Sequence, residues 1–323
     1  MAVPSDLTPQ VSSLKSSAAK PLGRREFLGA GLAAAAAAMS GVRALAADAV
    51  PSAAAVPGKI KKSLKFGMVE LPGTLSDKFR LLKEVGFDGV ELDSPTGFDK
   101  AEVLAARDAT GLVINGTVDA VHWTKPLSDP DPAVRAESLA ALKTALRETR
   151  EFGGTSVLLV PAVVNKEISY DDAYRRSQAE IRKAIPVAEE TGVKIALENV
   201  WNSFLISPLE AARYIDEFNS PFVCAHFDIG NVLRYGWPEQ WIRILGPRVF
   251  KLDVKEYSLK KMNDEGLWKG FDVPIGEGDC DWPAVMKALR DIKYSGWAAA
   301  EVPGGGRDRL ADISQRLDRV LAA

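Results

Sequence analysis

Eight short apolar runs, each followed by a stretch with helical spacing, limit what this chain can fold into. The strand-like runs lie at 64–69, 89–92, 112–118, 156–160, 194–197, 222–227, 249–254 and 297–302. They are too short for helices and are bounded by turn residues. Helical spacing predicts helices over 76–85, 100–110, 133–152, 170–191, 208–218, 238–245, 282–292 and 308–321. Cap-like residues open several of these, such as Ser207 before Pro208 and Asp281 before Trp282-Pro283. Glycines close others, at Gly86, Gly111, Gly153, Gly192 and Gly246. Eight strand–helix units in about 260 residues match an α/β fold of the (β/α)8 TIM barrel type. A doubly wound open sheet is the alternative. It calls for a glycine-rich phosphate turn after the first strand, where Glu70-Leu71-Pro72-Gly73 stands instead.

In such barrels the active site is built at the C-terminal ends of the strands. The fifth to eighth strands each bring an acid there: Glu198, Asp228, Asp253 and Glu301. A carboxylate at the mouth of an apolar strand is costly unless something positive answers it. Four together raise one another's pKa values. A divalent cation relieves both costs, and all-oxygen ligation suits Mg²⁺ or Mn²⁺ better than zinc. The competing reading is a salt-bridge network in which Lys194, Lys251 and Lys255 neutralise the rim without a metal.

Other residues fall near the same rim. His122-Trp123 follows the third strand; His122 reads as a donor to a substrate hydroxyl with Trp123 stacking on a ring, or as a loop pair packed together. His226 lies two residues before Asp228 and reads as an interior histidine, one layer deeper. Asn231 reads as a substrate contact or as a turn residue. Trp201 walls the pocket or packs under its loop, and Glu91 ends the second strand. The long segment from Glu256 to Asp281, with its Gly276-Glu277-Gly278 turn, is a candidate lid.

The chain has 323 residues, a net charge of −2, 46% hydrophobic and 26% charged residues, with no basic excess for tracking nucleic acid. Two histidines exclude a histidine-rich zinc cluster, and Cys224 and Cys280 have no metal or redox spacing. Residues 1–46 read as a twin-arginine signal: Arg24-Arg25, an alanine-rich run from Phe27 to Met39, and Ala44-Leu45-Ala46. Residues 47–61 read as a flexible leader and 62–323 as one barrel domain. Export to the periplasm, no stable membrane anchor and a non-phosphorylated substrate are the corresponding expectations. A homo-oligomer is left open.

The segments LENVWNSFLISPLEAARYIDE, FDIGNVLRYGWPEQWIRILGPR and GEGDCDWPAVMKALRDIKYSGW resemble the xylose-isomerase-like sugar isomerase/epimerase superfamily, over roughly residues 62–320. The resemblance implies one divalent metal held by residues of strands five to eight, and two glutamates acting as acid and base on a sugar carbon. Glu198, Asp228 and Glu301 match. Where the family usually reads His-x-Lys-Asp, this chain reads Asp253-Val254-Lys255-Glu256, so Asp253 replaces a histidine ligand. Lys255 matches the family lysine and is placed to stabilise an enediolate oxygen, or is a counter-ion for Glu256. The resemblance implies a metal-dependent epimerase or isomerase of a small sugar or glycoside. The alternatives are a lyase for 3-keto-glycosides and a non-catalytic sugar-binding barrel. The related endonuclease branch needs more histidines than this chain has.

Overall fold

The computed structural model describes residues 59–323. The expected signal segment, and all but the last residues of the expected leader, lie outside them. Strand β1 (Lys61–Leu64) is followed by α1 (Leu75–Glu84), β2 (Gly89–Ser94), α2 (Lys100–Thr110), β3 (Val113–Asp119), α3 (Pro132–Phe152) and β4 (Ser156–Leu159). Then come α4 (Tyr170–Thr191), β5 (Lys194–Glu198), α5 (Pro208–Asp216), β6 (Val223–Asp228), α6 (Pro238–Leu245) and β7 (Val249–Val254). Helices α7 (Leu259–Glu265) and α8 (Trp282–Asp291), strand β8 (Trp297–Ala300) and α9 (Arg307–Leu321) complete the chain. All eight strands are parallel, in the order β1-β8-β7-β6-β5-β4-β3-β2. A single parallel bridge between Lys65 and Glu91 spans the gap from β1 to β2, so the barrel is nearly closed.

Local chemistry accounts for most boundaries. Asp99, Ser169 and Asp281 accept backbone amides at the starts of α2, α4 and α8. Ser207, expected to cap α5, makes no such bond; Pro208 at the first turn sets that start instead. The first strand is displaced from its expected position: 66–68 form a short 3₁₀ turn, and β1 ends at Leu64. Its first residue, Lys61, lies one position inside the expected leader. The last strand ends at Ala300, which leaves Glu301 just beyond it. The segment after β7, expected as one long loop, contains α7 and a 3₁₀ turn at Leu267–Phe271.

Helix faces bury Phe79, Leu82, Val103, Leu142, Leu146 and Ile181 against the sheet, and this apolar layer is the main source of stability. The inside of the barrel is different. Side chains two apart on a strand share a face, so β6 aims His226 and Asp228 inward and β7 aims Lys251 and Asp253. These four, with Glu91, Asn115 and Ser63, are at most 2% exposed. Room for the Lys251 ammonium comes from Gly116 on β3. A Cβ there would lie 2.3 Å from Lys251 Nζ and 2.5 Å from the Ser156 carbonyl oxygen. No helix among the described residues is long and apolar enough to cross a membrane.

Candidate active site

Strands β5 to β8 bring the four expected acids together. Glu198, Asp228, Asp253 and Glu301 each offer one carboxylate oxygen, all within 4.8 Å of one another. The register explains this: Asp228 pairs with Asp253 across β6 and β7, and Glu198 pairs with His226 across β5 and β6. The end of β5 is tied to that of β6 by Asn199. Its side chain donates to the Asp228 carbonyl (2.9 Å) and accepts the Asp228 amide (2.8 Å). Glu198 and Glu301 line a cavity of about 580 Å³, whereas Asp228 and Asp253 are fully buried.

Three lysines interleave with these acids. Lys255 Nζ stands 2.9 Å from Asp228 Oδ2 and 2.8 Å from Glu301 Oε2. Lys65 Nζ contacts Asp253 Oδ1 at 2.9 Å and donates to Glu91 Oε2 at 2.6 Å. Deeper in the barrel, Lys251 donates to Glu91 Oε1 at 3.0 Å and to the Asn115 carbonyl at 2.7 Å. His226 Nε2 lies 3.0 Å from Asp253 Oδ1. Lys194 is not among the neutralising groups: its ammonium reaches the Pro221 carbonyl and lies over the Phe222 and Phe250 rings. Lys255 does not pair with Glu256 either. Glu256 accepts four donors of its own: the amides of Tyr257, Gly276 and Cys280 and the Trp282 indole.

The electrostatics follow from burial against this charge pattern. Burial, then the nearby Glu301, pushes Glu198 well above the usual carboxylate range. Burial pushes Asp228 up to about 7 despite Lys255. Asp253 goes the other way: burial opposes ionisation, but His226 and Lys65 outweigh it and hold the group well below its ordinary value. Glu91 is brought down to about 2, Lys251 and Lys65 overcoming its burial.

Whether a divalent cation fits can be judged from the donor set. Glu91, Glu198, Asp228, Asp253 and Glu301 face Lys65, Lys251 and Lys255, so with all five acids ionised two negative charges are left over. Asp228 Oδ2, both Asp253 oxygens and Glu301 Oε2 are buried and accept no aligned hydrogen bond. Three of these oxygens meet a lysine or histidine nitrogen at 2.8–3.0 Å and Asp253 Oδ2 meets none; hard carboxylate oxygens with acid in excess of base suit a hard divalent ion. Glu198, Asp228, Asp253 and Glu301 are the residues that would hold it.

The remaining expected residues sort clearly. His122 is buried in the cavity wall, with Nδ1 accepting the Val160 amide at 3.3 Å. Burial, helped by Lys65, pulls its pKa down to about 4, so the ring is neutral with its proton on Nε2. Trp123 stands edge-on to it, 54% exposed. Asn231 lines the cavity but its amide group donates to the Asn199 carbonyl, which makes it first a clamp on the β5 and β6 loops. Trp201 lines the wall and donates to the Asn231 carbonyl at 2.8 Å. Glu91 is a partner of lysines under the site. His226 is interior, as expected, though its nearest acid is Asp253. Cys224 and Cys280 are both free thiols.

Several cavity residues escape the sequence, among them Lys65, Asp93, Asp119, Trp268 and Phe271. Lys65 was read as mid-strand. Asp119 ends β3 one residue past its expected end; one oxygen accepts the Val121 amide at 3.0 Å and Oδ2 has no partner. Trp268 sits on the unexpected 3₁₀ turn, against Trp201. The signal available for Asp119 was its place at a strand end, the criterion that found the other four acids.

Comparison with known proteins agrees with this fold. The family model described as "Xylose isomerase-like TIM barrel" matches residues 79–321. L-ribulose-5-phosphate 3-epimerase UlaE of Escherichia coli O1:K1 is 24% identical over 259 residues, which cover 76% of this chain and 88% of that one. Among solved structures, the 3-keto-D-glucoside 4-epimerase YcjR from E. coli superposes with a TM-score of 0.69 at 20% identity, covering 82% of this chain and 100% of that one. The D-allulose 3-epimerase from Methylomonas sp. gives 0.67 at 18% identity, covering 82% and 99%. With a family model spanning most of its length and eight parallel strands around a carboxylate rim, the chain belongs to the xylose isomerase-like TIM barrel family.

Proposed function

We propose that the protein is a metal-dependent sugar epimerase or isomerase that moves a proton at a carbon next to a carbonyl. The observation that carries this reading is the placement of Glu198 and Glu301. Both open on one cavity, and both belong to a four-carboxylate cluster within 4.8 Å. The similarity to named sugar epimerases supports the same class of chemistry.

The chain's own groups have the properties this step needs. One glutamate takes the proton from carbon, the C–H electron pair moves into an enediolate, and the other glutamate returns a proton. Return to the same carbon from the opposite face gives an epimer; return to the neighbouring carbon gives an isomer. Burial and Glu301 raise the proton affinity of Glu198, which suits one member of a pair that exchanges a proton with carbon. Lys255 stays protonated: burial disfavours its charge, but Asp228, Glu301 and Glu198 outweigh that. Its ammonium is fixed beside Glu301 and favours negative charge developing on a substrate oxygen there. A divalent cation on these carboxylates would supply further polarisation of the carbonyl. His122 and the free Asp119 oxygen are available to hydroxyl groups of the sugar.

The test is solvent deuterium incorporation into the substrate. Glu198→Gln and Glu301→Gln should each abolish it, a loss on the order of 10³-fold or more for removing an acid–base group. Undiminished exchange in either variant removes that residue from the mechanism.

A further inference from the structure

The cavity is larger than one sugar ring requires, and its two ends differ in chemistry. At about 580 Å³ it is the size of site that takes a drug-sized ligand. Its floor is the carboxylate cluster. Its remaining wall carries an aromatic group centred on Trp201, which packs at 5.0 Å from Trp268 and 4.9 Å from Phe271. Arg234 lies over the Trp201 ring at 5.0 Å and helps fix it. Trp268 and Trp123 line the same cavity while remaining 68% and 54% exposed. Large indoles left in water at a cavity mouth are surfaces for a ring to cover.

The charges of the wall decide what kind of ring. Asp93, Asp119, Glu198, Glu256 and Glu301 line the cavity. Its lysines among the described residues, Lys65 and Lys255, are each already held between two carboxylates. No arginine among the described residues lines it. A phosphate group would therefore meet acids and no free cation.

We infer that the outer part of the cavity is a subsite for the second ring of a neutral glycoside, stacked on Trp268. This rests on the proton-transfer reading above and names its substrate class. A glycosidic bond locks the anomeric carbon as an acetal, so the acidic C–H must lie beside a ketone on the sugar ring itself. The ketone-bearing ring then occupies the floor by Glu198 and Glu301, and the aglycone, an aromatic or a second sugar ring, covers Trp268.

The experiment measures deuterium exchange from solvent into 3-ketoglucosides carrying methyl, phenyl or glucosyl aglycones, and into a free hexulose, with Mn²⁺ present. The phenyl or the glucosyl compound should exceed the methyl one in kcat/KM by about tenfold or more, the factor worth 1.4 kcal/mol. The pair also shows which ring is preferred. Trp268→Ala should collapse that ratio toward unity and Trp268→Phe, which keeps a ring, should retain most of it. Equal rates for all three aglycones, or a ratio unchanged by Trp268→Ala, overturns the subsite while leaving the proton-transfer reading intact. No exchange into any compound overturns that reading instead. Calorimetric affinities for phenyl, glucosyl and methyl glucosides then decide the subsite, equal values in wild type and Trp268→Ala counting against it.

Discussion

At the end of β3 one Asp119 oxygen accepts the Val121 amide, while the other is buried without a partner. Burial, only partly offset by that bond, pushes the carboxyl up to about 6. Between its ordinary value near 4 and this raised value, the folded protein keeps a proton that the unfolded chain has released. Stability therefore falls as pH rises through that window, and the full penalty is present at neutral pH. Asp119→Asn keeps an oxygen for Val121 and removes the buried charge. It should stabilise the protein by on the order of 2 kcal/mol at pH 7.5, and the gain should vanish by about pH 4. Thermal melts of both proteins at the two pH values check this. A carboxylate retained at such a cost in a cavity wall is a candidate for binding a sugar hydroxyl. Substrate affinity should accordingly weaken in the variant while stability rises.

Among the elements, the segment between β7 and α8 departs furthest from a plain loop. Glu256 holds both its ends through the donors at Tyr257, Gly276, Cys280 and Trp282. Gly278 permits the close approach: a Cβ there would lie 2.6 Å from Glu256 Cγ and from the Tyr257 carbonyl oxygen. The segment is thus a pinned wall carrying Trp268 and Phe271, with its hinges fixed. Glu256→Ala strands four donors and should destabilise the protein by about 3 kcal/mol. Limited proteolysis should then cut within 258–280 before elsewhere; an unchanged cleavage pattern would show that the segment is held by its aromatic contacts alone.

Apolar runs ending in an acid located β5, β6 and β7, because strand alternation fixes where the last side chain points. Helices α2, α4 and α6 were read from spacing and flanking turn residues. Residues 64–69 misled because Phe66 and Met68 continue an apolar run that the chain uses for a 3₁₀ turn, which places Lys65 over the site. Lys194 and Lys251 are both lysines on inner strands, and only the barrel's shape distinguishes them. Lys194 starts β5 at its outer rim, whereas Lys251 lies mid-barrel opposite Gly116. Long-range pairs such as Lys65–Glu91 and Lys251–Glu91 leave no local signature.

Across the whole molecule, an apolar layer between sheet and helices supports a barrel interior that is polar and charged. Burying ions is costly unless each is answered. The chain answers most of that charge with Lys65, Lys251 and Lys255, and leaves two more acids than lysines, which pushes Glu198 and Asp228 toward protonation unless a cation answers them. Of the lysine network expected as the rival to a metal, Lys251 and Lys255 take part and Lys194 does not, with Lys65 in its stead; the network supports the lower tier and part of the rim without neutralising the whole. The most direct measurement is a calorimetric Mn²⁺ titration of chelator-treated protein at pH 7.5, repeated on Asp228→Asn. The account predicts one ion per chain, with binding lost in the variant and deuterium exchange restored to the wild type on metal addition. Full exchange by the metal-free protein, with no Mn²⁺ bound, would contradict it.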